Sequence, residues 1–167
     1  LPYADTTVDD IVAVDESGAA SGTRKPSSEW RFHRDIYRAR KEAAAIVHAH
    51  SPFATALACL DRGIPAFHYM IAMAGGNDIR CAPYATFGTQ ELSDAALSAL
   101  DGRKACLLAH HGMIAIGETL KKALALAVEV ETLAEMYWRA LQVGEPSLLP
   151  PDELDRVLTK FADYGKA

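Results

Sequence analysis

No stretch of about eighteen uncharged apolar residues occurs in this 167-residue chain, so nothing in it is long enough to span a bilayer as a helix. Basic residues are also short: 17 Lys and Arg stand against 22 Asp and Glu, a formal charge of -5 with no cationic run. That excludes the positive field by which nucleic acid or an anionic membrane is held, and an anionic substrate must be gripped by local groups instead. Cysteine is confined to Cys59, Cys81 and Cys106, an odd number without C-x-x-C spacing. A disulfide framework is thereby excluded, and the expectation is three buried structural thiols in a reducing, cytoplasmic setting. Repeats and low-complexity tracts are missing as well. What remains, 50% hydrophobic and 23% charged, is the composition of one soluble globular domain with a real core.

The apolar pattern alternates between two periods. Asp10 to Asp15 is a short β-branched run entering a turn at Glu16-Ser17-Gly18, which predicts a strand with a hairpin partner beside it. Trp30, Phe32, Ile36 and Tyr37 share a helical face, predicting a helix from an N-cap near Ser27 to about Lys41. Residues 44–50 form a buried strand ending at Ser51-Pro52, followed by a helix over Phe53 to Asp61. A second strand-like stretch runs from Cys106 to His110, breaks at Gly112 and resumes through Ile116. From Glu118 to Val143, Leu120, Leu124, Ala127, Val128, Leu133, Met136 and Tyr137 recur at helical spacing, with Gly144 and Pro146 as stop signals. Alternating helices and strands indicate a single layered α/β or α+β domain over residues 1–167.

Six histidines carry the chemistry. His48 and His50 are two apart in a strand, so both imidazoles leave one face and can meet one ion. A third ligand must come from His110 or His111, and neighbours in a strand point to opposite faces, so one of the two is expected to reach the ion. Three imidazoles with a fourth position open is the layout of a catalytic zinc site. His33, in the first turns of the helix, has a structural or solvated role by default, and His68 is left without a role. Ser27, Ser28 and Glu29 stand at a helix N-terminus, where free N–H groups favour an anion and two hydroxyls add hydrogen bonds; a simple capping serine followed by an acid is the plainer alternative. Glu29 is the acid best placed to move a carbon-bound proton beside a Lewis acid.

In order along the chain, Pro26-Ser27-Ser28-Glu29-Trp30, Val47-His48-Ala49-His50, Ile64 to Met70, Gly75-Gly76-Asn77, Ala82 to Thr89 and His110-His111-Gly112 resemble the class II aldolase/adducin family. Within it, the chain is most similar to the members that cleave L-fuculose 1-phosphate. The resemblance implies a three-layer domain with a central, mainly antiparallel β-sheet flanked by helices, in a homotetramer with active sites at subunit interfaces. It implies a metal-dependent cleavage of a ketose 1-phosphate into dihydroxyacetone phosphate and an aldehyde. His48, His50 and His111 would bind the metal, zinc first and Mn2+ or Co2+ as alternatives, with His110 turned away. Ser27 and Ser28 would hold the phosphate, and Glu29 would be the acid/base. Tyr69 would reach the aldehyde oxygen from an adjacent subunit, Phe87 would help wall that pocket, and Tyr164 would cover the site. The family pattern also has an N-terminal helix and a Gly-Asn phosphate loop, and residue 1 stands just after the place these would occupy.

The implied chemistry accounts for these residue types. Cleavage leaves an enediolate on the dihydroxyacetone phosphate half, which a divalent ion stabilises, and neutral imidazoles leave the charge of that ion intact. No Schiff-base lysine is required, in keeping with the lack of a Lys at an obvious strand end. Other reactions on the same scaffold are a phosphosugar 4-epimerase or a methylthioribulose-phosphate dehydratase, and a further alternative is a non-catalytic adducin-like interaction domain. Glu29 argues for aldol chemistry over epimerisation, and the full set of three histidines argues against the non-catalytic module.

Overall fold

The computed structural model describes residues 2–163. Strand β1 (Ala13–Val14) and strand β2 (Ala20–Ser21) form a small antiparallel hairpin, the partner expected for the first strand, with Gly18 turning the chain at φ 90°. Its turn is tied by Asp15, whose Oδ1 accepts N–H groups from Ser17 and Ala19 at 2.8 and 2.9 Å. Helix α1 (Trp30–Ala39) follows, then strand β3 (Ala45–Ala49), helix α2 (Pro52–Ala58) and strand β4 (Ile64–Pro65). A 3-10 segment (Tyr69–Ala74) leads to β5 (Asp78–Ala82), α3 (Gln90–Ala99), β6 (Ala105–Leu108), β7 (Gly112–Gly117), α4 (Leu120–Leu141) and α5 (Pro151–Asp163).

The main sheet has the order β3-β7-β6-β5-β4. Only β5 and β6 run parallel, because α3 carries the chain back between them; the other three pairings are antiparallel. Both faces are covered, which is why β6 and most of β7 read as unbroken apolar runs. Ala105, Leu107, Met113 and Ala115 point to α2 and α4, where Leu57, Val130 and Tyr137 are buried. Cys106, Leu108, Ile114 and Ile116 point the other way, to Phe32 and Ile36 of α1 and Leu92 and Ala96 of α3. The result is the expected three layers. Helix α5 closes one edge, packing Leu154 and Val157 on Ala66 and Ala72.

Several local expectations shift. Helix α1 begins at Trp30 rather than beside Ser27, because residues 28–29 form a turn in which the Glu29 N–H donates to Ser27 Oγ at 3.2 Å. Helix α2 stops at Ala58, three residues before Asp61, which lies at φ 52° and cannot continue a right-handed helix. His110 and His111 are not at a strand end: residues 109–111 are the turn of the β6–β7 hairpin, and Leu108 pairs with Gly112. On α4, Ala127, Leu133 and Tyr137 are buried as the period predicts, but Leu120, Leu124 and Val128 form an i, i+4, i+8 stripe on the outward face. Cys106 is buried and Cys81 half-buried, whereas Cys59 is exposed and so is not the structural thiol expected. Among the described residues no helix is long and apolar enough to cross a membrane.

Candidate metal centre

His48 stands opposite Ile114 in the β3–β7 ladder, so its ring projects to the α1 side of the sheet, against Phe32 at 5.3 Å between centroids. His50, two residues on, follows onto the same side just beyond the strand. The hairpin turn brings His111 to the neighbouring end of β7, and the Ser28–Glu29 turn delivers Glu29 from the start of α1. One ligand-type atom from each of Glu29, His48, His50 and His111 lies within 4.8 Å of the others. The structure thus brings together four residues from three separate chain segments.

The tautomer of His48 follows from its partner. Nδ1 lies 2.9 Å from the Met113 carbonyl oxygen, which can only accept, so Nδ1 carries the proton and Nε2 presents a lone pair. That lone pair faces His50 Nε2 at 3.1 Å and Glu29 Oε2 at 3.1 Å. His111 Nε2 lies 3.0 Å from Glu29 Oε1, yet Oε1 is buried without an aligned hydrogen-bond partner. Burial pushes the His48 imidazole below its ordinary pKa and outweighs the opposing pull of Glu29; the same two influences act on His111. The imidazoles of His48 and His111, both favoured neutral, therefore converge on Glu29 with one of its oxygens left without a proton donor. A divalent cation accepting N and O donors satisfies that arrangement, and the donor set is one that zinc takes.

The cleft in front of this cluster, about 330 Å3, is lined by Ser28, Glu29, His50, Tyr84, Ala85, Phe87, His110 and His111. Ser28 and Phe87 are thus at the cluster, while Ser27 lines a neighbouring hollow with Lys25, Arg34 and Arg38. Tyr69 is half-exposed in the 3-10 segment, stacked near His68, and does not line the cleft within one chain. Tyr164 lies outside the described residues. His68 accepts the Met70 N–H on Nδ1 at 3.3 Å and so caps the 3-10 segment. His33 stacks on Phe32, and burial, with a smaller contribution from His48, holds its pKa down to about 4. It is a packed, neutral residue.

The family model of the class II aldolase and adducin N-terminal domain matches residues 1–138. The chain belongs to the class II aldolase and adducin family. Among curated members, 5-methylthioribulose-1-phosphate/5-deoxyribulose-1-phosphate aldolase of Rhodospirillum rubrum is 66% identical over 165 residues, 99% of this chain and 75% of the relative. L-fuculose phosphate aldolase of Escherichia coli strain K12 is 51% identical over 166 residues, 99% of this chain and 77% of that one. A solved L-fuculose 1-phosphate aldolase superposes with a TM-score of 0.93 at 44% identity, covering 97% of this chain and 76% of its own. The class II aldolase fold is therefore the architecture of this chain, and the central sheet and flanking helices described above are its layers.

Three features of this class II aldolase site carried no local sequence signal. Arg31 Nε donates to the Gly88 carbonyl at 2.9 Å, tying α1 to the loop that bears Phe87. Gly88 sits at φ 76°, and a Cβ there would fall 2.9 Å from the Ser28 carbonyl oxygen, so the loop lies directly on the Ser28–Glu29 turn. Glu131 of α4 accepts the N–H groups of Phe53 and Ala54 at 2.8 and 2.9 Å. It supplies the cap that Ser51 does not make and fixes the start of α2 just after His50.

Proposed function

We propose that the protein is a divalent-metal-dependent aldolase that cleaves a ketose 1-phosphate between C3 and C4, releasing dihydroxyacetone phosphate and a short aldehyde. The observation that carries this reading is the meeting of His48, His50, His111 and Glu29, with a buried Glu29 oxygen left without a hydrogen bond. Zinc is the ion proposed, with manganese or cobalt able to use the same donors. Held by the three imidazoles, such an ion would supply a Lewis acid to the dihydroxyacetone phosphate half.

The other tasks fall to this chain's own groups. When the C3–C4 bond breaks, the C4 hydroxyl loses its proton to become the aldehyde, and the electron pair left on C3 takes a proton. Glu29 moves the proton at C3. Tyr69, supplied by a neighbouring subunit, acts at the aldehyde oxygen, Phe87 walls that half, and Tyr164, outside the described residues, is given a covering role by the motif resemblance alone. Ser27 and Ser28 hold the phosphate at the start of α1. A homotetramer with sites between subunits is part of this reading: half-exposed Tyr69 has no role within one chain, and the Leu120, Leu124 and Val128 stripe is unburied. Three unpaired cysteines fit a cytoplasmic setting.

The motif resemblance points to L-fuculose 1-phosphate, whereas the 66% identical relative acts on 5-methylthioribulose and 5-deoxyribulose 1-phosphates. All are ketose phosphates, and we place the two ribulose derivatives first. The test is metal analysis of the purified protein together with triose-phosphate release from a panel of ketose 1-phosphates. A bound divalent ion and release from at least one member are expected. Absence of any divalent ion would sink the reading, and metal without triose phosphate would point to an epimerase or a dehydratase.

A further inference from the structure

The cleft at the metal cluster does not end at His110. Tyr84 and His110 also line a second hollow, about 490 Å3, whose remaining walls are Asp61, Cys81, Ala82 and Pro83. The shared wall is built with care. Asp61 and His110 are the two non-glycine residues with left-handed backbone among those described, at φ 52° and 55°. Both of their N–H groups donate to one acceptor, the Ala58 carbonyl oxygen, at 3.0 and 3.1 Å. Anchored there, their side chains face each other with His110 Nε2 3.8 Å from Asp61 Oδ1, and the His110 ring stands edge-on to Tyr84 at 6.0 Å. Backbone strain at two facing positions persists only where the surroundings enforce it, and such strain gathers at ligand sites.

The position of this hollow is as informative as its walls. Ser28 belongs to the cleft and Ser27 to a hollow of mixed charge beside it, so on the aldolase reading the phosphate-holding end lies at the α1 turn. Tyr84 and His110 line both spaces, so the second hollow adjoins the cleft directly. Cleavage of any ketose 1-phosphate between C3 and C4 gives the same dihydroxyacetone phosphate half, so substrates are told apart by what lies beyond C4. Beyond C4, 5-deoxyribulose 1-phosphate ends in C5 as a methyl group and 5-methylthioribulose 1-phosphate in a C5 methylene bearing a methylthio group, whereas in L-fuculose 1-phosphate C5 bears a hydroxyl and a further methyl.

We infer that the hollow behind Tyr84 and His110 is the subsite for the C5 end of the substrate, and that it takes an unhydroxylated end, a methyl or a methylthiomethyl group. Cys81, Ala82 and Pro83 form the part of the wall that offers little to a hydroxyl, while Asp61 and His110 face each other at 3.8 Å. Thioether sulfur packs favourably on an aromatic ring such as Tyr84. The inference rests on the aldolase reading above, and the experiment separates the two.

The kcat/KM values for 5-methylthioribulose 1-phosphate, 5-deoxyribulose 1-phosphate and L-fuculose 1-phosphate are measured for the native protein, for Cys81→Leu, which fills the floor, and for Tyr84→Ala, which removes the shared wall. Tyr84 is 63% exposed, so its variant folds even if the Cys81 variant does not. The ratio of methylthio to deoxy kcat/KM is expected to fall on the order of tenfold in either variant. A ratio unchanged within about twofold in every variant that folds would overturn the subsite while leaving the aldolase standing. So would a native protein that cleaves only the fuculose compound. A native protein that cleaves none of the three removes both the function and the subsite.

Discussion

Gly112 lies against the ring of His50: a Cβ at Gly112 would fall 2.8 Å from His50 Cδ2 and 2.5 Å from the Ala49 carbonyl oxygen. The glycine that follows the His110-His111 pair is thus required by close approach. Without a side chain there, β7 can pair with β3 and leave room for the imidazole that turns toward His48. Gly112→Ala should push His50 out of the cluster and weaken divalent-metal binding by tenfold or more, about 1.4 kcal/mol. Competition with a chelating dye measures this directly, and unchanged affinity would show that His50 is not held by this contact.

Glu131 caps the helix that begins two residues after His50. Its two oxygens satisfy consecutive N–H groups at the start of α2, and Gln in its place can accept with only one oxygen. Glu131→Gln is expected to cost about 1–3 kcal/mol in urea denaturation, the usual penalty for an unsatisfied buried donor. Metal affinity should fall with it because His50 leads into α2. A loss below about 0.5 kcal/mol would mean that water replaces the lost acceptor.

Roles within the cluster separate by readout. Glu29→Gln should keep bound metal and lose proton exchange at the C3 carbon of dihydroxyacetone phosphate, whereas His50→Ala should lose both. Tyr69→Phe should slow cleavage and spare that exchange, since exchange does not involve the aldehyde. Normal exchange in the Glu29 variant would remove its assigned role, and equal loss of both activities in the Tyr69 variant would remove that of the tyrosine.

Stability in acid should report His33. Burial first, and His48 second, lower its pKa from 6.5 to about 4 in the folded chain. An unfolded chain takes up the proton near pH 6.5 while the folded one resists it, so the unfolded state binds more protons between those values. The stabilising effect is full above about pH 6.5 and is lost as pH falls toward 4, up to about 3 kcal/mol. His33→Phe should flatten this part of the metal-free stability profile, as followed by denaturation between pH 7 and pH 4. An unaltered slope would assign the loss to other groups.

Much of the site can be read along the chain because its pieces are local patterns. The spacing of His48 and His50 places both rings on one side of a strand, and Ser27-Ser28-Glu29 marks the approach to a helix, which begins at Trp30. The choice between His110 and His111 is different. Alternation along a strand was the wrong geometry for it, because both residues belong to a hairpin turn whose left-handed His110 depends on the Ala58 carbonyl, 52 residues earlier in the chain. Helical period likewise identified α4 and part of its buried face, Ala127, Leu133 and Tyr137, but Leu120, Leu124 and Val128 keep the period and point outward.

Local stereochemistry and apolar period, which depend on residues a few positions apart, were enough for the first hairpin, α1, β3, α2, the β6–β7 run, α4 and the layered class, but not for β4, β5, α3 or α5, and they left His110 and His111 as alternatives. The meeting of Glu29 with His111, the Glu131 cap on α2 and the hollow behind Tyr84 depend on segments up to about eighty residues apart, joined by sheet pairing and helix packing. No periodicity reaches across such separations, because the contacts form only after both faces of the sheet are buried.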